Sequence, residues 1–391
     1  MNYDFVKVLF VIYIAVHFRV CHSSGIVNNQ LVLFFKYILA AYQVTTVVGG
    51  FSGDADGIGT NAKIYDPREI AITANGQLAY FVEANGGVVR KVDLQFSTVT
   101  KLVGKFADGG FAEGYGTNAI FSNPRGLTLS SDETFLLVAD TNNFRIRHVM
   151  ISTKIVTTLA GTSSAGHANG VGTNAFFDKI QSISLSPDDS FALVTEYTYH
   201  VIRIVNMTTR HVYLFAGAAG TGANVNGPGL SSRFQNPTSV AITWLGVNLV
   251  AYVVDGTSRI RRIMIERDTT TGATYAGMVT TLVSAEISWG FHISAAPDGS
   301  FLLLADMGTL NIKRVNTTSG AIVAIAGSGA ASTSVDGVGL MAAFHSPFGT
   351  VVSSDMSFAL VSEVNSDKIR KIKFYDPPTP APTGTIRSSS Q

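Results

Sequence analysis

The 391-residue chain has a single cysteine, Cys21. An intrachain disulfide framework is therefore impossible, and a zinc site built on several thiolates is excluded. Charge is scarce as well: Asp, Glu, Lys and Arg make up 14% of the residues, against about 25% in an average soluble domain. The formal net charge is +1, so the chain carries neither the basic field of a nucleic-acid-binding domain nor a field that would steer a charged substrate. Long apolar runs are missing. Residues 8–16 (VLFVIYIAV) and 31–42, the latter interrupted by Lys36, both fall short of the ~20 residues of a membrane-spanning helix. The eight histidines are dispersed, and no Ser-His-Asp pattern with a nucleophile elbow is present.

What the chain does have is apolar content, 46%, which suits many buried strands. Residues 8–16 have the length of a secretory h-region, with Lys7 before them and Cys21, Ser23 and Ser24 after. The reading places a signal peptide or signal anchor at 1–23 and an N-terminal extension at 24–43. The repeats follow at 44–376 and a Pro/Thr/Ser-rich tail at 377–391. Cleavage after Ser23 implies a secreted or extracytoplasmic protein; an uncleaved segment implies a membrane tether. Asn206 and Asn316 begin Asn-X-Thr sequons in equivalent hairpin turns, where glycans can be accepted.

Self-comparison reveals the organisation. Strand-like segments ending at Gly49, Gly104, Gly161 and Gly217 recur at intervals of 55, 57 and 56 residues, and Gly327 lies 110 further on, two more periods. Each copy runs through an apolar strand (GLTL at 126–129), a short polar turn (SDET at 131–134), a continuously apolar strand (FLLVA at 135–139), and a third strand (RIRHV at 145–149). A hairpin then leads into the Val-Thr-Thr-Leu type of strand. Polar turns of this kind favour hairpins, and unbroken apolar runs read as strands buried on both faces. Four short strands per unit is the signature of a propeller blade. The last copy ends with its third strand, whereas residues 44–49 form an unpartnered fourth strand. Pairing the two closes a ring of six blades and removes the exposed edges.

The segment VADTNNFRIR at 138–147 and its equivalents resemble the NHL repeat. The resemblance implies an all-β, six-bladed propeller that serves as a non-catalytic binding or scaffold module. Its partner would be a protein or a glycan, with no nucleic acid and no cofactor. It also leaves open an enzyme similar to the amidating lyases, which hold a metal in the central channel. That chemistry needs several inward histidines, and His167, His200, His292 and His345 share no spacing. No catalytic residue and no metal ligand set can be assigned. Copy 3 lacks the usual proline before its first strand, having Lys179-Ile180-Gln181 where copy 2 has Asn123-Pro124-Arg125.

Two elements recur with every copy or nearly so. An acid ends each second strand (Glu83, Asp140, Glu196, Asp255, Asp306, Glu363), and a base follows six or seven residues later (Arg90, Arg147, Arg203, Arg261, Lys313, Arg370). One such pair per blade reads as scaffold; the functional alternative is an acid ring able to bind a cation in the channel. The second element is a glycine-rich loop such as DGIGTNA at 56–62. It lacks the strand-to-helix context and the lysine of a phosphate loop. Copy 5 omits this loop, which predicts a notch in the rim beside Trp289 and His292. Copy 3 adds Tyr197, Tyr199 and His200 after Glu196, and His167 in its loop. These asymmetric residues are the candidate contact surface.

Overall fold

The computed structural model describes residues 42–375 except 257, 269 and 330–332. The signal segment, the cysteine, most of the N-terminal extension and the tail lie outside the described residues. Tyr42–Phe374 is one compact unit of six antiparallel sheets, each a blade. In blade 2 the inner strand is Pro124–Leu129, the second Phe135–Asp140, the third Arg145–Met150 and the outer Ile155–Gly161. The other blades repeat this order. No helix among the described residues is long and apolar enough to cross a membrane.

Local chemistry explains the repeat. Second strands such as Phe301–Asp306 are buried along their whole length, because both faces of a blade pack against neighbouring blades. The turn after five of the six inner strands is fixed by a short polar side chain, Asn75 in blade 1 and an aspartate in four others; in blade 4 Gly246, with φ 61°, makes the turn. Asp132, Asp188, Asp298 and Asp355 each accept the N–H two residues on, at 3.0–3.1 Å, the hydrogen bond that makes Asp a turn residue. The recurrent glycines that end outer strands have φ between 88° and 104° at Gly49, Gly104, Gly161, Gly217 and Gly327, a conformation that side chains resist. Asn206 and Asn316 sit in third-to-outer turns, where each side-chain oxygen accepts two backbone N–H groups. Asp93 and Asp268 do the same in blades 1 and 4.

Six apolar clusters fill the six gaps between blades. The ring closes as the phase of the repeat requires. Tyr42–Gly49 pairs antiparallel with Lys368–Phe374 and becomes the outer strand of blade 6. Its Val47 and Val48 pack with Phe358, Leu360 and Ile369 and with blade 1 residues such as Phe81.

Candidate functional site

The acid at the end of each second strand is bonded to the base on its own third strand. The separations are 3.2 Å for Glu83–Arg90, 2.8 Å for Asp140–Arg147, 3.1 Å for Glu196–Arg203, 2.8 Å for Asp255–Arg261, 2.7 Å for Asp306–Lys313 and 2.9 Å for Glu363–Arg370. All six carboxylates are fully buried. Each of the five arginines also donates to two carbonyls of the glycine-rich loop; Arg147 reaches Ile120 and Ala112. The pair therefore staples that loop to the blade. Burial pushes Glu83 up to about 8 and raises Asp140 and Asp255 against the pull of their arginines.

Blade 5 has lysine for a geometric reason. In the other blades the loop adds a two-residue strap, for example Gly57–Ile58, against the outer strand, and one guanidinium nitrogen reaches the strap's flank. Residues 284–289 form no strap, so among the described residues blade 5 is the one four-stranded sheet. A single ammonium then suffices, bonded to Asp306 and to the Glu286 carbonyl. At Asp306 burial raises the pKa, but Lys313 and the N–H groups of Ser288 and Trp289 outweigh it and hold the carboxyl below its usual range.

The remaining candidates separate into distinct groups. His167 bonds Glu196 at 2.7 Å and lies 4.8 Å from the Tyr199 ring. His200 accepts the Asn236 N–H at 3.0 Å, and Tyr197 is 37% exposed. Trp289, 50% exposed, begins an aromatic arc through Phe291 at 5.8 Å and on to Phe348 at 5.0 Å. The Arg68 guanidinium covers the Phe348 ring at 4.6 Å. Phe291, Phe348 and Arg68 are the second residues of three adjacent inner strands, so the arc rims the loop-side mouth of the channel. Among the described residues no ring contact or ion pair joins the Trp289 group to the Tyr199 group.

His292 is not beside Trp289 on the rim. It is the third residue of the inner strand Gly290–Ala295, and strand alternation turns it away from the mouth into the channel, buried. There it meets Glu69, which the sequence reading missed. Glu69 Oε1 accepts from His292 Nε2 at 2.7 Å and from Ser182 Oγ at 3.1 Å, and Oε2 accepts the Leu127 N–H at 2.8 Å. The Thr350 N–H donates to His292 Nδ1 at 3.2 Å and the Val240 N–H to Ser182 Oγ at 3.4 Å. Because Nδ1 accepts, the proton sits on Nε2 and the ring is neutral. Those six residues come one from each blade, so a single polar network ties all six across the axis. Third positions read Glu69, Gly126, Ser182, Ser239, His292 and Gly349. A Cβ at Gly126 would sit 3.1 Å from Glu69 Oε2, so glycine makes room for the long acid. On the other side of this network the channel opens as a cavity of about 360 Å³, lined by residues such as Ile72, Leu129, Ile242 and Trp244. Among the described residues no group of three His, Cys, Asp or Glu could hold a metal ion.

No model of a known protein family matches the chain. Curated proteins do match. NHL repeat-containing protein 2 of Bos taurus is 28% identical over 176 residues, 43% of this chain and 24% of that protein. Its Homo sapiens counterpart is 29% identical over 164 residues, 39% of this chain and 22% of that protein. The matches thus span less than a quarter of those relatives' length. Among solved structures, an auxiliary nutrient binding protein from Bacteroides thetaiotaomicron superimposes with a TM-score of 0.60 at 14% identity, covering 86% of this chain and 77% of that one. XC5397, a gluconolactonase from Xanthomonas campestris, superimposes with a TM-score of 0.56 at 9% identity, covering 87% and 92%. Those two likenesses are of fold. With six four-strand repeats closed into a ring, the chain is a six-bladed β-propeller, consistent with an NHL-repeat family through its NHL repeat-containing relatives in sequence.

Proposed function

We propose that the chain is a non-catalytic binding module whose loop face engages a protein or glycan partner. One observation carries the reading. Every repeated charged group on that face is consumed inside its own blade, whereas the residues that break the repeat, Trp289 and Tyr197, stay exposed. Exposed aromatic rings framed by polar groups are the usual anchors of a recognition surface. Propellers of this shape include both the nutrient-binding protein and the gluconolactonase, so shape does not choose between binding and catalysis. The channel chemistry favours binding: the hydrogen-bonding atoms of Glu69 and His292 are already committed to the six-blade network, leaving no free base at the cavity floor.

The test is capture of a partner from secreted fractions and on a glycan array, followed by titration of the Trp289→Ala, Tyr197→Ala double variant. Loss of an aromatic anchor costs about 2 kcal/mol or more, so affinity is expected to fall roughly 30-fold or more with an unchanged unfolding midpoint. Undiminished affinity rejects this face.

A further inference from the structure

The missing strap of blade 5 leaves a docking edge, and the rest of the chain shows what fits it. In five blades the outer strand is capped by a two-residue antiparallel strap. The residue under the strap is a valine with no exposure in each case: Val44, Val99, Val156, Val212 and Val279. The equivalent in blade 5, set by its pairing with Val315, is Ile322. Among the described residues nothing caps it: Ile322 is partly exposed and the neighbouring Val323 is 58% exposed. An acidic side chain before the strap also bonds the edge, as Asp56 does at the Lys101 N–H (2.9 Å) and Glu113 at the Thr158 N–H (2.7 Å). The equivalent N–H in blade 5 belongs to Ala324.

We propose that the outer strand Ile322–Ala326 is a strand-addition site for an extended peptide of strap chemistry, in which an acidic or amide residue precedes a glycine and an apolar residue. Open edges recruit strands through main-chain hydrogen bonds, with side chains adding selectivity. Here the five straps define both: two paired residues against Ile322, and an acceptor for the Ala324 N–H. This site lies on the outer strand and is independent of the loop-face reading.

The probe is a labelled synthetic peptide with the sequence of residues 54–62, titrated into the full chain. Saturable binding is expected, with hydrogen exchange slowed at Ile322 and Ala324. Binding should weaken at least about tenfold when the peptide's paired residues are N-methylated, which leaves the protein untouched, and again with Ala324→Pro. Proline is tolerated where the N–H faces away from the sheet, and an unchanged melting midpoint certifies the variant. The proposal is overturned if no binding occurs, if the methylated peptide binds equally well, or if binding depends on Trp289 instead. It is also overturned if the Ala324 amide is already protected without peptide, since the edge is then covered by this chain or a second copy.

Discussion

Glu69→Ala is expected to lower the unfolding free energy by about 3 kcal/mol or more, because it leaves three buried donors without an acceptor. The reason is the number of groups orphaned together. Leu127 N–H, Ser182 Oγ–H and His292 Nε2–H all donate to this one carboxylate, and each buried donor without an acceptor costs about 1–3 kcal/mol. The loss is also non-local, because blades 1, 2, 3 and 5 meet at that side chain. Glu69→Gln should cost less, since the amide oxygen still takes one donor while its NH₂ faces another. Combining Glu69→Ala with His292→Ala should cost well below the sum of the two single changes, because the second removes a group the first has already stranded. Urea unfolding of the four proteins measures this. Strict additivity would show that the two side chains do not share the proposed network.

Arg147→Met is expected to cost a similar amount, about 3–5 kcal/mol, and Lys313→Met distinctly less. Methionine in place of Arg147 leaves Asp140 fully buried, with the Ser122 N–H and the Asn143 amide as its remaining donors. It also takes the guanidinium from the Ile120 and Ala112 carbonyls, which keep only their mutual backbone bridge, so the loop of blade 2 should exchange its amides faster. Asp306 is better supplied. The N–H groups of Ser288, Trp289, Gly308 and Thr309 all reach it, so its charge stays solvated by backbone after the lysine is gone. Equal costs at the two sites would refute the view that the straps dictate arginine.

Most of the architecture was legible because it repeats. Periodic glycines, Asp-centred turns and apolar second strands are local chemistry, and the phase of the six copies announced that residues near 44–49 must pair near 370. The short segment 284–289 likewise announced a blade without the glycine-rich loop. What sequence reading missed lies on the axis. His292 was assigned to the rim because it follows exposed Trp289 closely, whereas the alternation of the inner strand sends it inward. Its partner, Glu69, is 223 residues away, and no local pattern joins them. A signal did exist: with the inner strands superimposed, third positions read Glu, Gly, Ser, Ser, His, Gly, the one column where small residues surround a single acid and a single histidine. The same alignment at second positions would have disclosed Arg68, Phe291 and Phe348.

The division of labour between repeated scaffold and asymmetric face is tested most directly by the hydrogen-exchange footprint of a captured partner on the full chain. Slowed exchange at residues 197–200 and 286–291, with residues 242–247 and 295–299 unaffected, is the predicted result. Protection confined to those latter turns, at the open end of the channel, would contradict it and move the functional site to the opposite face.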